Sequence, residues 1–188
     1  MSGRLVILDR DGVINEDSDD FIKSPSEFVA IDGSIEAITL LSNAGFTVAV
    51  ATNQSGVARG LLNVRTLDAI HDKLRLAVRE AGGDIGRIVY CPHHPDDGCE
   101  CRKPAPGLLL RLAHQYGVPL DNVPMVGDSD RDIEAAKAAG CRPILVLTGN
   151  GKKTAEFFAK RGESIQTFAN LNAAARHIIG ECGTGVIE

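Results

Sequence analysis

Short runs of Val, Ile, Leu and Ala recur along this chain at Leu5–Leu8, Thr47–Ala51, Ile88–Tyr90, Val123–Val126 and Ile144–Leu147. They are nearly uninterrupted by polar residues, the pattern of strands buried on both faces of a parallel sheet. Helix-like stretches lie between them. Leu67, Ile70, Leu74, Ala77, Val78 and Ala81 recur at spacings of three and four with charges between. Ser34–Ala44 and Pro106–Tyr116 read similarly, and the alanine-rich stretch Asp130–Ala139 stops at Gly140, a C-cap residue. Alternating β and α segments predict an α/β fold, a mainly parallel sheet with helices on both faces.

One domain over residues 1–188 is expected from the length. The polar, irregular stretch from about 13 to 31 reads as a flap or hairpin, and the tail Cys182–Glu188 as loose. A formal charge of −5 and 4% aromatic residues argue against a nucleic-acid partner or an anionic membrane surface. No apolar stretch approaches the roughly 18 residues of a membrane span. The first residues lack a secretory pattern, so a cytoplasmic protein with reduced thiols is expected, acting as a monomer.

Ligands bind such sheets at the carboxyl ends of the strands. There the chain places Asp9, Arg10, Asp11 and Gly12 after the first run, Thr52, Asn53 and Gln54 after the second, and Gly127 through Asp132 after the fourth. Asp9, Asp11 and Asp128 would repel one another in one cleft unless a cation neutralised them. Mg²⁺ suits hard oxygen ligands and a substrate phosphate. A carboxylate so held can attack phosphorus, and a second acid can protonate the leaving alkoxide and later activate water. Thr52 offers a hydroxyl and Lys103 a cation to the transferring phosphoryl group. Each piece alone has a plainer reading. D-x-D-G is a common turn, Thr52-Asn53 a strand-end turn or cap, Lys103 a surface charge, and Asp128 a helix cap. Their order along the chain is more specific than any part.

With these residues in hand, the sequence resembles the haloacid dehalogenase superfamily of phosphohydrolases. "DRDG", "ATNQSG", Lys103 in "CRKP" and "GDSDRD" look like its four motifs. The resemblance implies a Rossmann-like, doubly wound core, and the roughly 40 residues between Gly12 and the second motif leave no room for a large cap domain. It implies Asp9 as nucleophile and Asp11 as general acid/base. It implies Mg²⁺ on the Asp9 side chain, the Asp11 backbone carbonyl and Asp128, with Asp132 in support, and a phosphoryl group held by Thr52 and Lys103.

"CPHHPDDGCECRKP" places Cys91, Cys99 and Cys101 within eleven residues, with His93 and His94 as rival imidazoles. Three thiolates and an imidazole suit tetrahedral Zn²⁺, and four protein ligands make a closed, structural site. The alternative is a loop of reduced, unliganded thiols. The resemblance places the fourth ligand at His93. Zinc would then fold a loop, residues 91–103, that delivers Arg102 and Lys103 to the site. The loop is shorter than in some members, but its C-x-H and C-x-C pairs are intact, so zinc binding is still expected. Cys141 reads as a small core residue.

Two branches of the superfamily carry such a loop, one acting on heptose bisphosphate and one on histidinol phosphate. "DRDGVIN", "KSPSEF" and "TNQSGVARG" look more like the heptose branch. That resemblance implies removal of the C7 phosphate on the route to nucleotide-activated heptose for lipopolysaccharide core. Arg59 and Arg102 could hold the unreacted second phosphate, and Asn53 could contact the sugar or hold the loop. A phospho-accepting receiver domain, a phosphomutase and a zinc-stabilised binding module are the rivals. The first acid at the first strand, the lack of a cap and the acidic balance disfavour them in turn.

Overall fold

In the computed structural model, which describes residues 4–183, alternate side chains of the central strands enter two different cores. The strands are β1 (Arg4–Leu8), β2 (Phe46–Asn53), β3 (Ile88–Cys91), β4 (Pro124–Gly127), β5 (Arg142–Val146) and β6 (Gln166–Phe168). They form one sheet in the order β3-β2-β1-β4-β5-β6, and every pairing is parallel. The helices are α1 (Ser34–Asn43), α2 (Val64–Glu80), α3 (Gly107–Tyr116), α4 (Asp130–Ala139), α5 (Gly151–Lys160) and α6 (Leu171–Gly183).

Successive strand side chains point to opposite faces. Val6, Leu8, Val48 and Val50 therefore meet Ile38 and Leu41 of α1, Leu74 of α2 and Ala175 of α6. Leu5, Ile7, Ala49 and Ala51 meet Leu108, Leu109 and Leu112 of α3 and Ala135 of α4. The small Ala49 and Ala51 leave room for the leucines of α3, complementary filling that keeps a core dense. Phe158 of α5 packs with Leu145 and Ile133. The expected two-faced burial is thus observed, and Cys141 lies in the second core.

Helix ends follow their local chemistry. Asn63 caps α2 by accepting from Thr66 N at 2.9 Å. Gly140 ends α4 at φ 80°, as expected. Ser129, not Asp128, caps α4: Ser129 and Asp132 form a reciprocal capping box. That leaves the Asp128 carboxylate free for other work.

The pattern of apolar runs did not announce α5, β6 or α6. Strand β6 has only three residues, mostly exposed, on the sheet edge, so it carries no buried run. Cys182 and Gly183 fall within α6; the rest of the expected loose tail, 184–188, lies outside the described residues. Between β1 and α1, Val13, Ile14, Ile22, Phe28 and Ile31 are buried. Backbone bonds Glu16 N to Val29 O (2.9 Å) and Ile31 N to Ile14 O (2.9 Å) fold this segment back on itself. No helix among the described residues is long and apolar enough to cross a membrane.

The chain runs outward from β1 through β2 to β3, and then from β4 through β5 to β6 on the other side. The crevice at the carboxyl ends of β1 and β4 is therefore the switch point where doubly wound sheets take their ligands.

Candidate active site

Asp9 follows β1 directly, and its backbone N–H donates to Val126 O of β4 at 2.9 Å. This pins the acid to the switch point. Gly12 adopts φ +79°, and a Cβ there would collide with the Asp128 carboxylate. Glycine thus lets the loop after β1 close over the residue after β4. Asp132 enters from the first turn of α4, fully buried, accepting from Ser129 N (3.0 Å) and Oγ (2.6 Å). Lys103 is 1% exposed rather than a surface charge. Its Nζ lies 2.9 Å from Asp9 Oδ1 and 2.6 Å from Asp132 Oδ1, and donates to Ala51 O at 2.8 Å.

One carboxylate oxygen each from Asp9, Asp128 and Asp132 lies within 4.8 Å of the others. Burial, then the charge of Asp132, holds Asp9 well above the usual carboxylate range, with Lys103 opposing. Burial and Asp132 push Asp128 up to about 7. Burial works against Asp132 too, but Lys103 and the Ser129 donors outweigh it and hold that acid low. Burial also opposes the charge on Lys103, which Asp132 and Asp9 restore. Three acids against one ammonium leave two uncompensated negative charges in a dry place. An oxygen-seeking divalent cation fits that deficit in charge and in donor type.

Asp11 stands apart from this trio. Its carboxylate accepts from Arg10 Nε (3.1 Å) and Nη2 (2.8 and 3.0 Å), Asn15 Nδ2 (2.9 Å) and Gln54 Nε2 (2.7 Å). Gln54 Nε2 also reaches Thr52 Oγ1 at 3.0 Å. Asp9, Asp11, Thr52, Asn53, Arg102, Lys103, Asp128 and Asp132 all line one cavity of about 170 Å³. Arg102 Nη1 is buried without a hydrogen-bond partner. Arg59 is not on this wall. It is exposed, with its guanidinium 5.7 Å from the Phe21 ring, and Phe21 is what lines the cavity. Asn53 spends its amide on the backbone of Lys103: Nδ2 donates to Lys103 O (3.0 Å), and Oδ1 accepts from Lys103 N (3.1 Å).

Arg10, Asn15, Gln54, Arg131 and Asn150 complete the surroundings, and their sequence pattern alone assigns none of them a role. Asn150 N donates to Asp128 Oδ2 at 2.7 Å. It sits just beyond β5, so the rule used for the other strands would have found it. Arg10 obeys that rule after β1, but an arginine in a turn is ordinarily solvated, so its burial has no signal in the sequence.

The ligand atoms of Cys91, His93, Cys99 and Cys101 also gather within 4.8 Å. Cys91 Sγ–Cys99 Sγ and Cys99 Sγ–Cys101 Sγ are 3.6 Å apart, His93 Nδ1–Cys91 Sγ 3.5 Å and His93 Nδ1–Cys101 Sγ 3.2 Å. Tetrahedral zinc with sulfur arms of about 2.3 Å has sulfur–sulfur edges of about 3.8 Å, close to this spacing. The rival His94 turns away, with Nδ1 3.2 Å from Asp96 Oδ2, and caps the short 3₁₀ turn Pro95–Asp97.

A larger cavity, about 450 Å³, opens at the opposite, amino-terminal edge of the sheet, between Arg4, Phe46, Val118 and Arg142. Catalytic chemistry is better placed at the smaller one, where the buried carboxylates converge.

A HAD-hydrolase-like family model matches residues 100–171. A D-glycero-β-D-manno-heptose-1,7-bisphosphate 7-phosphatase of Pseudomonas aeruginosa is 59% identical over 154 residues, 82% of this chain and 86% of that protein. The crystal structure of D,D-heptose 1,7-bisphosphate phosphatase from B. bronchiseptica, complexed with magnesium and phosphate, aligns with a TM-score of 0.90 at 52% identity. It covers 95% of this chain and 99% of that one. The corresponding enzyme of Burkholderia thailandensis aligns with a TM-score of 0.72 at 40% identity, covering 94% and 98%.

Proposed function

This chain belongs to the D-glycero-β-D-manno-heptose-1,7-bisphosphate 7-phosphatases, within the HAD-like hydrolases, and on that premise we propose how its residues perform the reaction. The protein is a phosphoric monoester hydrolase that removes the C7 phosphate of the heptose bisphosphate. The observation that carries the mechanism is the single cavity onto which Asp9, Asp11, Thr52, Lys103 and Asp128 all open.

Asp9 Oδ attacks the C7 phosphorus, and the bond from phosphorus to the sugar oxygen breaks. To act as the acid, Asp11 must first take up a proton on an oxygen that gives up its donors; it then passes that proton to the sugar oxygen, and a neutral alcohol leaves. The phosphoryl group then rests on Asp9 as an aspartyl phosphate. Asp11, now ionised, takes a proton from water; the water oxygen bonds to phosphorus, and Asp9 is released with inorganic phosphate. Lys103 and Thr52 hold the phosphoryl oxygens through the transfer. Mg²⁺, carried by the B. bronchiseptica relative, would be held by Asp9, Asp128 and the Asp11 backbone carbonyl with Asp132 in support, and would neutralise charge on both acid and phosphate. Burial holds Asp9 toward its protonated form, so the attacking acid needs this counter-charge.

Arg102 is the partner for the second phosphate, because it lines the cavity and its Nη1 is committed to no protein acceptor. Arg59 stands at the rim beyond Phe21 and would meet that phosphate only at the cavity mouth. Asn53 holds the loop rather than the sugar. Zinc on Cys91, His93, Cys99 and Cys101 is structural: it shapes the loop that ends at Arg102 and Lys103. Reduced thiols and a phosphorylated sugar substrate agree with a cytoplasmic enzyme.

The test is steady-state phosphate release with Mg²⁺ from the α- and β-heptose bisphosphates, histidinol phosphate and fructose bisphosphate, side by side. The β-heptose bisphosphate should give the highest kcat/KM, and equal or better turnover of histidinol phosphate would reverse the assignment. Arg102→Ala should raise KM for the bisphosphate by about 10-fold or more while sparing a monophosphate.

A further inference from the structure

Arg10 is fully buried beside the reacting groups, although its backbone neighbours on both sides are the two acids of the reaction. A buried guanidinium needs partners for its donors. One edge, Nε and Nη2, is taken by the Asp11 carboxylate. Nη1 lies 3.3 Å from Nε2 of His71. His71 interrupts the buried apolar face of α2, between Ile70 and Leu74, and is only 5% exposed. A buried polar side chain on such a face calls for a reason.

The pairing fixes the imidazole's state. A guanidinium can only donate, so Nε2 must accept and the ring proton sits on Nδ1. Burial, with Arg10 and Arg75 nearby, lowers the His71 pKa to about 3, so the ring stays neutral and its acceptor stays open. The ring is also held by Tyr90, with centroids 5.9 Å apart.

We propose that His71 is a positioning residue: from α2 it anchors Arg10, and Arg10 in turn orients Asp11 toward the leaving oxygen of the substrate. The inference rests on the phosphatase reading above. Arg10 is a planar fork on a long flexible stem, and without an acceptor on Nη1 only its contact with Asp11 would orient it. Asp11 would keep its bonds to Asn15 and Gln54 but lose the bidentate contact that sets its plane. A small error in aiming a proton donor costs rate without costing substrate affinity.

The test compares two leaving groups. Protonation by Asp11 matters most for a poor leaving group, the sugar alkoxide, and little for p-nitrophenolate, which departs without a proton. kcat/KM is the parameter to read, since it ends at the first irreversible step, transfer to Asp9. His71→Phe keeps the ring's bulk against Tyr90 but removes the acceptor. It should lower kcat/KM on the heptose bisphosphate through kcat by about 10- to 100-fold, with KM near wild type, and on p-nitrophenyl phosphate by less than about 3-fold. His71→Gln, whose amide oxygen reaches the Nε2 position, should restore the bisphosphate rate to within about 3-fold. If His71→Phe does not fold, His71→Asn, polar but too short to reach Arg10, should show the same selective loss. Equal losses on both substrates would reduce His71 to a packing residue. Faster turnover would mean that the clamp restrains Asp11 rather than aims it. Either result overturns the proposal. Absence of wild-type activity on the bisphosphate would instead overturn the reading on which it rests.

Discussion

Asp9 and Asp128 are more than a hundred residues apart in the chain, whereas Cys91, His93, Cys99 and Cys101 fit within eleven. Both clusters bring ligand atoms within 4.8 Å, yet they are held in different ways. Asp9 and Asp128 stand on the ends of adjacent parallel strands, Asp132 in the first turn of α4, and all three are buried. The sheet holds them together against their own repulsion. The Cys/His loop has no buried residue in its 3₁₀ turn and is anchored at its ends, by Cys91 buried at the end of β3 and by Asn53 on the backbone of Lys103. Burial organises the first site without an ion; a zinc ion bound at the second would couple its ligands to the shape of the loop. They meet at Lys103, which follows the last thiol by two positions, is clamped to Asn53 and pairs with Asp9. A locally folded loop thereby supplies a cation to a site the sheet built.

The sharpest way to break this contrast is Asp9→Asn. Activity should fall by about 10⁴-fold or more. Thermal stability in Mg²⁺-free buffer should not fall, because one of three crowded charges is gone; a lower melting temperature would show that the acids stabilise the fold. Cys99→Ser should take bound zinc from one per chain to none by elemental analysis. It should cut activity by about 100-fold and lower the melting temperature, with no rescue by added Mg²⁺. If activity survives zinc loss, the loop does not position Lys103. Asn53→Ala isolates the clamp itself: zinc should stay bound while kcat drops about 10-fold. The smallest effect concerns pH. Asp128 is held up to about 7 in the folded protein against 3.8 as a free group. The folded state therefore binds more protons than the unfolded one between those values, and stability contributed by Asp128 falls as pH rises through that window. In Mg²⁺-free buffer, melting temperature should decline from about pH 5 to about pH 7.5 by this contribution, and Mg²⁺ should flatten the slope. A slope unchanged in Asp128→Asn would assign it to other groups.

Much of the site was legible in order. Asp9, Asp11, Thr52 and Asp128 were marked because each follows an apolar run, and parallel strands put such ends on one edge. Asn150 obeys the same rule after β5 and was passed over, since Thr-Gly-Asn-Gly offers no charge to notice. Arg10 follows β1 too, but its burial and that of His71 leave no pattern in the sequence. Whether an arginine is solvated or buried depends on what packs over it, and a histidine at a helical spacing reads as one more residue of the stripe. Arg59 shows the opposite case: the motif points it toward the substrate, while the fold sets its guanidinium over Phe21 at the rim.

Sequence alone determined the alternation of strands and helices, because burial on two faces demands unbroken apolar runs and helices demand a 3.6-residue period. It also determined the chemistry on offer, three acids, a lysine and a thiol cluster, because those residue types have few other reasons to follow strands in that order. Only the tertiary structure decided which groups share a proton or a charge. It turned Asp11 toward Arg10 and away from the other acids, chose His93 over His94, and spent Asn53 on the backbone of Lys103. Such choices depend on distances of a few ångströms between segments far apart in the chain, and it is burial that sets the energies there.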